Sequence, residues 1–252
     1  MKPFKPSHLK IERADKHIAE FEKCVLTLPN AYAATLTYNL KIRDKTIQSA
    51  VRYHLPNAAA IQAKLALVIG DAIHNLRTAL DFAWIAAFGH FNIPTNHFSK
   101  FPILRTAKEL TTALEKRKVN IASPDLYKGI VSEIKPYPGG NDDIWAIHSL
   151  DILDKHQLLI PLMHMVAVTG IVLEDEKGNI VPHQFQWISE GGSLFVPLRE
   201  NFHVKDKGKV TLHIVFAKHD LATDFMKVSD TLPLYSQLVL KIVEALEGFC
   251  GG

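Results

Sequence analysis

Apolar residues recur at steps of three and four over Ser7–Leu28, where Ile11, Ala14, Ile18, Phe21, Val25 and Leu28 form one seam. That period predicts an amphipathic helix, with Pro29-Asn30 as its expected end. The period then shortens to two. Tyr38, Leu40 and Ile42 alternate with polar neighbours, and after a turn at Asp44-Lys45, Ile47, Val51 and Tyr53 share a face. An antiparallel hairpin ending at Pro56 is predicted. A long helix over Ala58–Phe88 follows, with Leu65, Ile69, Ala72, Leu76, Ala79 and Ala83 as its seam and Gly89 as its expected stop. The alanines in that seam let another helix approach closely. Beyond the loop that holds Phe101-Pro102-Ile103, short helices are expected near Ala107–Lys116 and Pro124–Ile134, before a break rich in Pro and Gly at Pro136–Gly140.

Asn141-Asp142-Asp143 combines a capping side chain with two carboxylates suited to the positive end of a helix dipole, so a helix is expected from there to about Leu159. From Pro161 the pattern becomes β. Strands are predicted at Leu162–Glu174, Ile180–Ser189, Ser193–Pro197 and Val210–Lys218, with turns at Glu176–Asn179 and Glu190–Gly192. A final helix spans about Leu232–Phe249. This order predicts an α+β fold. Its parts are a helical lobe with an N-terminal β-hairpin over residues 1–160, and an antiparallel β-meander closed by a helix over residues 161–252, together one compact unit.

Two polar stripes interrupt these patterns. Stepping about 100° per residue along the long helix, Asp71, His74, Asn75, Arg77, Thr78 and Asp81 fall in one arc. Leu67, Phe82 and Ile85 share that arc, which a plain solvated face does not require. The helix after Asn141 is apolar in nearly every direction, as buried helices are, yet His148, Asp151 and Lys155 form a stripe on it, with Asp154 at the edge and Leu158 and Leu159 beyond. Buried charges need partners. The two stripes are therefore expected to face each other, with Asp81 and Asp151 opposite Arg77 and Lys155 and the two histidines between. Asp151→Ala is then expected to cost about 3–5 kcal/mol.

Three chemistries fit His74, Arg77, Asp81, His148, Asp151 and Lys155. Histidine works as acid or base near neutral pH, Arg or Lys stabilises an anion, and a carboxylate orients a histidine, which together would make an active site. The same residues would serve equally as an ion-pair lock that fixes helix register. The spacings Asp71-x-x-His74, His148-x-x-Asp151 and Asp154-x-His156 bring N and O donors together, as in a metal-dependent hydrolase, but the ExxH pairs of di-iron bundles are absent. No cofactor is expected, and no transition metal is expected to bind tightly.

Composition narrows the remaining classes. Hydrophobic residues at 47% and charged residues at 22% suit a globular chain, and a formal charge of +3 is too small to imply nucleic-acid binding by itself. Only two cysteines occur, Cys24 and Cys250, far apart, which suits a reducing compartment. The N-terminus carries no apolar segment of the signal-peptide kind, and Leu158–Leu173 is broken by Pro161, His164 and Gly170, so a cytoplasmic protein without a membrane span is expected. Lys205, Lys207 and Lys209 read as a solvated turn. Gly139-Gly140 lacks the GK[ST] of a phosphate loop, and no serine has a G-x-S-x-G context.

The segments GDAIHNLRTALDFAW (Gly70–Trp84), FPI (Phe101–Ile103) and IKPYPGGNDDIWAIHSLDILDKHQLL (Ile134–Leu159) resemble a family of uncharacterised bacterial proteins. That resemblance implies no activity. Asn75-Leu76-Arg77 on its helix is also similar to the HEPN helical-bundle ribonucleases and toxins, in which an Arg followed five or six residues later by His cleaves RNA within a dimer. What this implies is an RNA- or anion-related role centred on the polar stripe that holds Arg77, with a homodimer and nucleic acid as partners. Phe82 stands where that pattern has His, so His74 or His148 would have to supply the proton-transfer group.

Overall fold

The computed structural model describes residues 3–42, 45–96, 99–157, 160–189, 193–197, 202–217 and 226–251. It is an α+β protein. The elements are α1 (Lys5–Ala31), β1 (Ala33–Ile42), β2 (Lys45–His54), α2 (Ala58–His90), α3 (Ala107–Lys116), α4 (Val119–Ala122), α5 (Pro124–Lys128), a π-helical turn at Gly129–Ile134, α6 (Asp142–Gln157), β3 (Leu162–Asp175), β4 (Ile180–Ser189), β5 (Ser193–Pro197), β6 (Phe202–Phe216) and α7 (Val228–Gly251). The expected turns at Asp44-Lys45 and Glu190–Gly192 fall largely outside the described residues, as do Leu158, Leu159 and the end of the last predicted strand at Lys218.

The helical seams pack as their periods require. Ile11, Ala14, Ile18, Phe21 and Leu28 of α1 are buried, and so is every seam residue of α2 from Leu65 to Ala83. α7 lies against both helices and completes the bundle. Two helix ends differ from expectation. α1 runs through Pro29 to Ala31, because a proline in the last turn forfeits a single backbone bond where the ladder is ending anyway. α2 runs through Gly89 to His90. It ends there in a Schellman arrangement. Asn92 sits at φ 55, its N–H bonds Gly89 O at 3.4 Å, and Ile93 N–H reaches back to Phe88 O at 2.9 Å. The left-handed residue that ends the helix is an asparagine rather than the glycine three positions earlier.

The strands of the second half do not form one meander. β3 is central in a sheet of order β4-β3-β6, whereas β5 leaves to pair with the hairpin in the order β1-β2-β5. Its register runs from Ala50↔Pro197 to His54↔Ser193. Tyr53 donates from its hydroxyl to Lys207 O at 2.6 Å, and Lys207 Nζ donates to Ala34 O at 3.2 Å, so side chains also tie the two sheets together. Lys205, Lys207 and Lys209 therefore lie in a strand, not a solvated turn. β6 begins at Phe202 and stays paired with β3 along its length. Gly208 makes this possible: its φ is +70, and a Cβ there would lie 2.4 Å from Thr169 O.

Candidate functional site

α6 packs antiparallel on α2 and brings the two stripes together. Asn141 accepts the Ile144 N–H at 3.1 Å through its side chain, the cap its position promised. Ile144, Ala146, Ile147 and Leu150 turn inward and are buried, but Ile152 is exposed, and Trp145 and Leu153 are half-buried. α6 is thus not buried all round. It lies on the bundle with one open side, because among the described elements only α2 and α7 are packed closely against it. Likewise Leu67, Phe82 and Ile85, whose place among the charges of α2 suggested burial, are 56%, 38% and 42% exposed.

The polar arc of α2 divides among three surroundings. At one edge Asn75 is buried against α1, where it accepts from Lys10 Nζ at 3.1 Å and donates to Asp71 O at 2.7 Å. In the middle His74 is open to solvent. At the other edge Arg77, only 5% exposed, donates to Asp81 one turn on and to Phe101 O at 3.0 Å. Asp81 in turn accepts the Phe101 N–H at 2.8 Å. The Arg77–Asp81 pair thereby satisfies both backbone groups of one loop residue. The Phe101 ring meets Trp84 edge-on at 5.7 Å, and Trp84 packs on Phe88 at 4.5 Å.

On α6, Asp151 is 4% exposed and fully engaged. One oxygen faces His74 Nδ1 at 2.9 Å across the helix junction, and the other accepts from Lys155 Nζ at 2.6 Å. Both partners keep nearly half of their side-chain surface in water. The expected pairing is therefore only partly met. The stripes touch through His74 and Asp151, but the Arg77 and Lys155 ion pairs form within their own helices, at the i,i+4 spacing that needs no register between helices.

His148 lies among these charges, and its buried Nδ1 finds no hydrogen-bond partner among the described residues. Desolvation, reinforced by the Arg77 charge, holds its pKa down at about 4 against an ordinary 6.5, so the ring is neutral at physiological pH. One turn beyond Asp151, Asp154 presses against bare backbone: a Cβ on Gly70 would lie 2.2 Å from its Oδ1. Burial, then the neighbouring Asp151 and Asp71 carboxylates, push the Asp154 pKa up. Among the described residues no group of three or more His, Cys, Asp or Glu side chains is arranged to hold a metal ion. Sequence reasoning missed the Phe101 clamp and the Gly70–Asp154 contact. An apolar Phe-Pro-Ile run inside a polar loop signals the first, whereas a glycine in a helix gives no hint of the second.

Histidines held neutral by the fold have a measurable consequence. His164 on β3 is buried outright, its ring nitrogens find no partner among the described residues, and burial lowers its pKa. For both histidines the unfolded chain binds the proton more readily than the fold does, so stability is full above about pH 6.5 and is lost as pH falls toward the depressed folded values. We expect the urea midpoint to drop between pH 7 and pH 4.5, and to drop less in His148→Gln and in His164→Leu. Parallel pH profiles for the parent and both variants would contradict this.

No known protein family matches the chain, and neither a curated protein nor a solved structure matches it. No helix among the described residues is long and apolar enough to cross a membrane.

Proposed function

We propose that the chain is a non-catalytic interaction protein and that the α2/α6 stripe is an ion-pair lock inside it. The observation that carries this reading is the inward commitment of Arg77. Its guanidinium is buried against Asp81 and the Phe101 carbonyl, so it does not present itself to a ligand arriving from solvent. Exposed Leu67, Phe82 and Ile85 on α2 and Ile152 on α6 add apolar surface of the kind that partners cover.

A second reading keeps a specific observation of its own. A buried carboxylate, Asp151, faces Nδ1 of the solvent-open His74, which is how a carboxylate orients a histidine base. A HEPN-like centre acting on RNA or another anion would use that dyad, with Lys155 beside it and with His74 or His148 in place of the histidine that Phe82 replaces.

Purified parent, His74→Ala and Asp151→Asn proteins incubated with single-stranded RNA separate the readings. The lock predicts no cleavage that depends on His74. It also predicts that Asp151→Ala costs about 1–2 kcal/mol, less than the sequence suggested, because half-exposed His74 and Lys155 rehydrate once the carboxylate is gone. Cleavage by the parent that disappears in a still-folded His74→Ala variant would replace the lock with the catalytic reading.

A further inference from the structure

α1 and α7 run antiparallel, as His8 opposite Glu247 at 3.3 Å and Asp15 opposite Ser236 at 2.6 Å require. Between them lies an open groove of 370 Å³. Its floor is apolar: buried Ile11 and Ile18 from α1 and half-buried Leu240 from α7. Its α1 edge carries Asp15 and Glu22, both exposed, and no lysine or arginine lines it among the described residues. On α7 the same face continues at steps of three and four from Gln237 and Leu240 to the exposed Glu244 and Glu247. This acidic edge stands on a chain whose formal charge is +3, so it is a local feature and not a reflection of composition.

We infer that this groove docks a basic amphipathic helix of a partner protein. A seam between two antiparallel helices accepts the ridge of a third, with apolar anchors at i, i+3, i+4 and i+7 entering the floor. From Ile11 to Glu22 the seam is ~17 Å long, about three helical turns, enough for two or three such anchors. Lysines or arginines flanking the anchors meet Glu22 on one side and Glu244 on the other, while Asp15 accepts from Ser236 across the seam. Carboxylates at an apolar rim speed encounter with a cation and reject an acidic competitor. The inference stands apart from the α2/α6 stripe and shares no residue with it.

The test uses an 18-residue peptide of Leu and Lys with one apolar face, titrated into the full chain at low and moderate salt. Amide shifts should centre on Ala19, Gln237 and Leu240, and affinity should fall as salt rises. Glu22→Lys combined with Glu244→Lys alters only exposed side chains, so the circular dichroism and melting temperature should hold, while affinity should fall about tenfold or more. Peptides with Glu for Lys, or Ser for Leu, should not bind. Unchanged affinity in the double variant, or shifts mapping to another face, would overturn the inference. So would a concentration-dependent doubling of mass that the double variant abolishes, since the occupant would then be a second copy of this chain.

Discussion

Replacing Arg77 by Ala is expected to destabilise the fold by about 3–5 kcal/mol. The change strips Asp81 of its counter-charge and leaves the Phe101 carbonyl without its donor, at a place that water reaches poorly. The loss is that of breaking a buried pair, not the worth of the pair itself, so Arg77→Met combined with Asp81→Leu should recover part of it. Urea unfolding of the three proteins measures this. A midpoint for Arg77→Ala within error of the parent would show that the guanidinium is not needed to hold Phe101.

Trp84→Ala should cost as much, about 3–5 kcal/mol, by leaving a cavity between Phe88 and Phe101. Its effect and that of Arg77 bear on one residue, since Arg77 fixes the Phe101 backbone and Trp84 its ring. A double-mutant cycle should therefore show coupling of about 0.5–3 kcal/mol, the double variant losing less than the separate losses together. Strict additivity would mean that the loop is held elsewhere.

Most of the helical architecture was legible in the sequence because its burial is one-sided. α1 and α2 read correctly from their seams, and α6 from its cap. The reading of α6 as buried in nearly every direction, and of Leu67, Phe82 and Ile85 as signs of burial, failed for a common reason. Hydropathy tells which side chains would gain from burial, but not whether a neighbouring element exists to cover them. The candidate site shows the same limit. Spacing identified His74 and Asp151 as residues able to meet, but pairing at i,i+4 was available to Arg77 and Lys155 within their own helices, and local partners won. The Phe-Pro-Ile run marks Phe101 as a residue to be buried, but not its clamp, because the groups that Arg77 and Asp81 hold are main-chain atoms, which every residue carries. Strand order was beyond reach as well. β5 has the same alternating pattern whether it pairs with β4 or with β2, and nothing local in five residues decides between them.

That choice of partner for β5 shapes how the molecule comes to exist. β2 acquires its second neighbour only when a segment from more than half the chain away arrives, so the hairpin's outer edge stays unsatisfied while the intervening helices assemble. Such pairing raises the contact order and slows the final step, whereas α1, β1, β2 and α2 can associate early through near-neighbour contacts. On the ribosome the nascent hairpin would wait with an open strand edge, and an open edge is where chains add to one another. β5 therefore also shields the Ala50–His54 half of that edge from aggregation, and it is delivered late, with only β6 and α7 still to follow.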